Sequence, residues 1–134
     1  MPTIEVAAGV ISRAGRYLIA RRKPGMHLAG LWEFPGGKRE KGETLEECLR
    51  RELWEELHIK VDQPVPFQTI RHEYPEKTVE LHFFRCMIAS GRPTPIESTE
   101  IKWVYPHQLK SKMFPPADGP VIVALRQQRK RRPQ

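Results

Sequence analysis

The stretch from Thr44 to His58 constrains the fold more tightly than any other part of the chain. Thr44 is followed three residues on by Glu47, the signature of a capping box, and Leu45, Cys48, Leu49, Leu53 and Leu57 then recur at helical spacing. The pattern predicts a helix from Leu45 to His58 with one apolar stripe, which needs another layer to cover it. The opposite face is unusual. Glu52, Glu55 and Glu56 stand at i, i+3 and i+4, so three carboxylates share one face, an arrangement that weakens an isolated helix by about 0.2–0.5 kcal/mol per like-charged pair.

The covering layer is legible as strands. Ile4 to Ile11 is apolar and rich in β-branched residues, Arg13-Ala14-Gly15-Arg16 reads as a turn, and Tyr17 to Ala20 resumes, which predicts a hairpin. Phe67 to Arg71 and Thr78 to Ala89 flank Tyr74-Pro75-Glu76-Lys77 as a second hairpin, and Lys102-Trp103-Val104 reads as a further short strand. Lys23 to Gly30 is expected as a loop, Pro35-Gly36-Gly37 as a break in regular structure, and Pro106 to Leu109 as a helical turn. Asp118 is a candidate cap for a last helix that tolerates Pro120 in its first turn and turns Val121, Ile122 and Leu125 inward. No internal repeat is present, so the inventory is one mixed α/β domain over 1–126 followed by a basic tail, 127–134.

Composition excludes several classes. At 134 residues with 39% hydrophobic and 29% charged residues, disordered, collagen-like and multidomain readings fall away. No apolar run reaches the roughly 20 residues that span a bilayer, and the amino terminus lacks a secretion-signal pattern, so a cytoplasmic protein without membrane contact is expected. Cys48 and Cys86 match no metal-ligand spacing and read as reduced core residues. Of the net charge of +7, five positive charges lie at Arg126, Arg129, Lys130, Arg131 and Arg132, so the body is nearly balanced. The tail reads either as a polyanion-attracting segment or as a solvated helix end with cations near its negative pole.

For the acidic face there are two readings: a solvated surface balanced by Arg50 and Arg51, or a site for a hard divalent cation, which carboxylate oxygens suit and the absence of Cys and His from the cluster favours over zinc. Arg51 can reach Glu47 and Glu55, four residues to either side. The preceding Phe34-Pro35-Gly36-Gly37-Lys38 bears on the choice. Its bare backbone can come close to whatever the Glu face binds, and exposed amides beside Lys38 suit phosphate oxygens. Phosphate and acidic helix would repel unless a metal bridges them, so the parts together describe metal-assisted phosphoryl chemistry.

Gly37, Glu43, Arg51, Glu52, Leu53, Glu55, Glu56 and Ile59 reproduce, with one departure, the spacing G-x5-E-x7-R-E-U-x-E-E-x-G-U, where U is apolar. In this the chain resembles the Nudix hydrolases. Six matches at the fixed Gly and charged positions would arise by chance with a probability on the order of 10⁻⁵. The departure is His58, where the pattern has Gly; that Gly reads as a left-handed C-cap, and His is among the residues enriched in that conformation. The resemblance extends to the MutT-type branch through Phe34 to Lys38, through Glu97 with Trp103, and through Phe114-Pro115-Pro116-Ala117-Asp118, which is similar to its base-recognition segment.

The resemblance implies an α/β/α sandwich around a central mixed sheet. It implies divalent metal, Mg²⁺ or alternatively Mn²⁺, bound by Glu52, Glu55, Glu56, Gly36 and a loop carboxylate, Glu97 in preference to Glu100. Glu52 is then also a candidate for activating the attacking water, while Glu43 and Arg51 support the loop and the cluster. Arg22, Gly37 and Lys38 are implied for the phosphates, and Phe34, Tyr74 and Asp118 for the base. The implied reaction is a monomeric enzyme's hydrolysis of a nucleoside triphosphate to monophosphate and pyrophosphate. Oxidised deoxyguanosine triphosphate is the favoured substrate and a cytidine triphosphate the alternative, because relatives acting on cytidine nucleotides also show Asp at the Asp118 position. A non-catalytic module that binds damaged nucleotides is the reading of another class; retention of Glu52, Glu55 and Glu56 argues for catalysis, and no stable nucleic-acid complex is expected.

Overall fold

The computed structural model describes residues 2–26 and 28–131. Its spine is β1 (Thr3–Arg13), which runs parallel to β7 (Thr78–Cys86) on one edge. The other edge forks. Ser12 and Arg13 pair with the start of β2 (Arg16–Arg21), while Val6 to Ala8 pair with β4 (Gly36–Lys38), both antiparallel. β2 carries β3 (Trp32–Glu33) and β9 (Glu100–Val104), and β6 (Val65–Glu73) closes the far side against β7, giving a seven-stranded mixed sheet. The predicted hairpins form: Ala14 and Gly15, both at positive φ, turn the first, and the Tyr74 N–H donates to the Lys77 carbonyl in the second.

Alternation along the strands feeds two cores. Ala7, Ile11, Leu18 and Phe84 face α1 (Leu45–Leu57) and bury against its Cys48, Leu49, Leu53 and Leu57. Ala8, Val10, Ile19 and Phe83 face the other way, against Val121, Ile122 and Leu125 of α2 (Gly119–Arg131). One sheet between two helices is the expected sandwich. The capping box is formed as predicted, Thr44 and Glu47 each accepting the other's backbone N–H, and His58 sits in the left-handed region at φ 55° and ψ 41°, its N–H donating to the Trp54 carbonyl. Both cysteines are free and buried.

Three local expectations need correction. Gly36–Lys38 is a strand and not a break, because a chain without side chains can lie directly on β1; a Cβ at Gly36 would stand 1.9 Å from the Ala7 carbonyl oxygen. The strand expected to reach Ala89 is interrupted at Met87, whose N–H donates to the Asp62 carboxylate and whose carbonyl accepts the Asp62 N–H. That exchange diverts Ile88–Ser90 (β8) onto Lys60–Val61 (β5) as a separate two-stranded sheet. Asp118 does not cap α2 through its side chain among the described residues; it ends the 3₁₀ turn Pro116–Asp118 instead. α2 continues past Arg126 to Arg131, and residues 132–134 of the predicted tail lie outside the described residues. No helix among the described residues is long and apolar enough to cross a membrane.

Candidate active site

The site is assembled where β4 crosses the start of β1 beneath α1. A Cβ at Gly37 would stand 2.3 Å from the Glu52 carboxyl carbon and from one of its oxygens, so glycine there is what lets this carboxylate lie on the loop backbone. The loop is pinned from both sides. The Cys48 thiol lies 3.4 Å from the Gly37 carbonyl, and Arg51 donates to the Lys38 carbonyl at 3.0 Å. We expect Gly37→Ala to fold normally, because only the flexible end of Glu52 must move, yet to lower kcat about 10²-fold through misplacement of that carboxylate. A thermal melt beside steady-state kinetics separates the two effects.

Arg51 holds the acidic face together. Its Nε and Nη2 bond both oxygens of Glu43 at 3.0 and 2.7 Å, while Nη1 donates to Glu52 at 2.9 Å and to Glu55 at 3.2 Å. Glu43 also accepts the Glu40 N–H, and the Arg51 hydrogen bonds hold its carboxyl down at about 2. The expected Arg51–Glu47 pair is not among these contacts, since Glu47 is engaged in the capping box.

A cleft of about 1080 Å³ opens from this face, and Glu33, Glu52, Glu56 and Glu97 line it. Burial, then the charges of Glu33, Glu52 and Glu97, push the Glu56 carboxyl up to about 9. So concentrated a set of carboxylates, with Arg22 and Arg51 as the cations bonded to it, carries the charge and the hard oxygen donors that a divalent cation requires. Glu55 lies outside the cleft lining, reached through Arg51, and Glu100 is engaged by Arg21 at 3.3 Å, which leaves Glu97 as the loop carboxylate that faces the cleft. Another acidic group, unanticipated from sequence, brings Glu5, Glu80 and His82 within 4.8 Å of one another on β1 and β7; there Arg39 and Arg71 already supply counter-charge.

Of the residues expected to meet substrate, Arg22 and Lys38 for the phosphates and Tyr74 and Asp118 for the base all line the cleft. Phe34 borders it as well, but its ring stacks on Phe114 at 5.4 Å and meets Phe83 edge-on at 6.0 Å, and it is only 4% exposed. It therefore packs the core and offers no open face for stacking, contrary to expectation. Tyr74 does have an aromatic companion, His72, with centroids 4.5 Å apart. Glu33 was not singled out from sequence: it pairs with Arg22 at 2.5 Å and lies between the carboxylate cluster and Asp118. The available signal was a single acid inside the apolar run Leu31-Trp32-Glu33-Phe34.

Asp118 is 7% exposed and its carboxylate has no hydrogen-bond partner among the described residues. Burial, with the nearby Glu33 charge, pushes it up to about 7. A raised carboxyl contributes stability that is complete below its ordinary value of 3.8 and is lost as pH rises through 7. Asp118→Asn removes that loss, so the variant should be as stable as the parent at pH 4 and more stable at pH 8.5, by up to about 4 kcal/mol. Denaturant melts at the two pH values check this; equal stability at pH 8.5 contradicts it.

Comparison with known proteins agrees with this geometry. A NUDIX domain profile matches residues 6–124. The chain is 38% identical over 123 residues to an 8-oxo-dGTP diphosphatase of Haemophilus influenzae, covering 91% of this chain and 90% of that protein. It is 34% identical over 133 residues to the CTP pyrophosphohydrolase of Escherichia coli, covering 99% and 98%. The solution structure of the E. coli ORF135 protein superposes with a TM-score of 0.84 at 33% identity over 99% of this chain and 95% of that one. With the signature glycine seated under Glu52, the carboxylates gathered on one cleft and the sandwich around them, the chain belongs to the Nudix family and is one of its hydrolases.

Proposed function

We propose that the chain is a Mg²⁺-dependent nucleoside triphosphate pyrophosphohydrolase that converts 8-oxo-dGTP to the monophosphate and pyrophosphate, acting as a cytoplasmic monomer in nucleotide-pool sanitation and so in suppressing replication errors. The observation that carries this reading is the make-up of one cleft, which the carboxylates Glu52, Glu56 and Glu97, the cations Arg22 and Lys38 and the buried Asp118 line together. Glu52, Glu56, Glu97 and the Gly36 backbone would hold the metal from within the cleft, and Glu55, tied to Arg51 outside its lining, would turn inward to complete the set. When bound, Mg²⁺ supplies charge neutralisation for the triphosphate and the leaving pyrophosphate.

The remaining roles belong to the chain's own groups. Glu52 takes the proton from the attacking water, and Arg51 fixes its orientation; Gly37 leaves room for it against the loop. Lys38 and Arg22 offset phosphate charge, Arg22 oriented by Glu33. One water adds across the anhydride between the α and β phosphorus atoms, so no covalent nucleophile is needed. Ionised Asp118 accepts from the ring N–H and exocyclic amine of guanine, and Tyr74 with His72 forms the aromatic wall. The identity of this chain to 8-oxo-dGTP diphosphatases supports the base assignment.

A cytidine triphosphate is the second reading, favoured by the carboxylate at position 118 and by the near full-length likeness to a CTP pyrophosphohydrolase. Relative kcat/KM for 8-oxo-dGTP, dGTP, CTP and dCTP decides between them. The proposal expects 8-oxo-dGTP to lead dGTP and both cytidine nucleotides by at least about tenfold, which corresponds to about 1.4 kcal/mol of transition-state discrimination. A lead for CTP or dCTP transfers the assignment to cytosine.

A further inference from the structure

The face of β1 and β7 turned away from the cleft carries a group that hydrolysis does not use. Val6, Ala8, Leu81 and Phe83 line the cleft, so the residues that alternate with them, Glu5, Glu80 and His82, stand on the opposite face. The parallel register sets Glu5 across from Glu80, and His82 across from Ala7, where the core under α1 begins. Their side chains converge. His82 Nε2 lies 3.2 Å from Glu80 Oε1 and 3.7 Å from Glu5 Oε2, and the three residues each bring one ligand atom to within 4.8 Å of the other two. These side chains are 17–29% exposed, shielded in part yet open to an ion from solvent.

Each of the three is held from behind. Arg39 bonds Glu5 through Oε1 at 2.9 Å and Arg71 bonds Glu80 through Oε2 at 2.9 Å, which leaves the other oxygen of each carboxylate turned towards the imidazole. Thr69 Oγ1 lies 3.3 Å from His82 Nδ1, on the far side of the ring. Hydrogen-bonded carboxylates and an imidazole engaged through its second nitrogen are the arrangement by which outer partners orient metal ligands. A proton on Nε2 can bond only one of the two oxygens, because 3.7 Å is beyond hydrogen-bond reach. A cation between the three atoms takes a lone pair from each. The two imidazole–carboxylate separations bracket the edge of about 3.4 Å that a tetrahedral site with bonds of about 2.0–2.1 Å requires.

We propose that Glu5, Glu80 and His82 form a second metal site, for a borderline transition ion such as Zn²⁺ with water at the open position. One imidazole nitrogen and two carboxylate oxygens suit zinc, whereas the all-oxygen cleft suits Mg²⁺. The ion ties β1 to β7, whose other face forms a wall of the cleft, and so stabilises the strand pair on which the active site is built.

The experiment is calorimetric titration of the full chain with Zn²⁺ in excess Mg²⁺, beside H82A, E5Q, T69V and E52Q. One zinc is expected to bind in the parent and in E52Q. The event is lost in H82A, at least tenfold weaker in E5Q, and about tenfold weaker in T69V, where a methyl replaces the hydroxyl beside Nδ1. With zinc about a hundredfold above its Kd, the thermal midpoint should rise by about 5 °C or more in the parent and not at all in H82A. The zinc-free melt of H82A checks that it is folded; E5Q and T69V, close in shape to the parent side chains, carry the test if it is not. In ¹⁵N-labelled protein the imidazole resonance that H82A lacks should be one that zinc moves. Three outcomes overturn the proposal: no zinc binding; binding that H82A and E5Q leave unchanged; or binding that E52Q abolishes, which places the ion in the cleft.

Discussion

Glu52→Gln should lower kcat about 10³–10⁴-fold while leaving the protein as stable as the parent. The amide keeps an oxygen that can accept from Arg51, so the 2.9 Å contact survives, and the loss of a negative charge relieves the crowding felt by Glu56. What disappears is the ability to accept the proton of an attacking water and to contribute a charged oxygen to a cation. Because the group acts on the reacting atoms, kcat and kcat/KM should fall together. A variant that instead raised KM with kcat intact would make Glu52 a substrate-binding residue and move the proton-accepting role to another carboxylate.

Arg51→Ala should be the most destabilising single change in the site. The guanidinium is 23% exposed and satisfies Glu43 on two bonds and Glu52 and Glu55 on one each, so its removal leaves three carboxylates facing one another without a partner. Breaking a partly buried ion network in this way is expected to lower the thermal midpoint by about 10 °C. The acid limb carries a second signature. Glu43, held down at about 2, contributes stability that is complete above its ordinary 4.5 and is lost as pH falls towards 2. In the variant that loss between pH 4.5 and 2 should be much reduced, because the interaction that held the carboxyl down has gone. An unchanged midpoint would show the network to be a surface feature of little weight.

These expectations show which parts of the site could be read in the chain. α1, its capping box and its carboxylates were legible because their signals repeat over a few residues, and so was the left-handed His58, whose place in the pattern asks for a C-cap. Sheet contacts between distant segments were harder. Glu33 matters because β3 pairs with β2, setting Ala20 across from Glu33 next to Arg22, and nothing within Leu31 to Phe34 says so. Phe34 looked available for stacking until Phe114, 80 residues later, closed over it. Asp118 looked like a helix cap because Asp before a helical pattern usually is one; here the 3₁₀ turn carries the chain into α2 and leaves the carboxylate to the cleft. The Gly37–Glu52 approach was half visible: the bare loop implied nearness, and the partner it admits appeared only in three dimensions.

The most direct test of the central claim is the identity of the phosphorus products, followed by ³¹P NMR, when the full chain is given 8-oxo-dGTP and Mg²⁺. The account predicts the nucleoside monophosphate and pyrophosphate in equal amounts, with neither formed by Glu52→Gln over the same interval. Diphosphate with free phosphate, or no product from this nucleotide or any other triphosphate supplied, would contradict it.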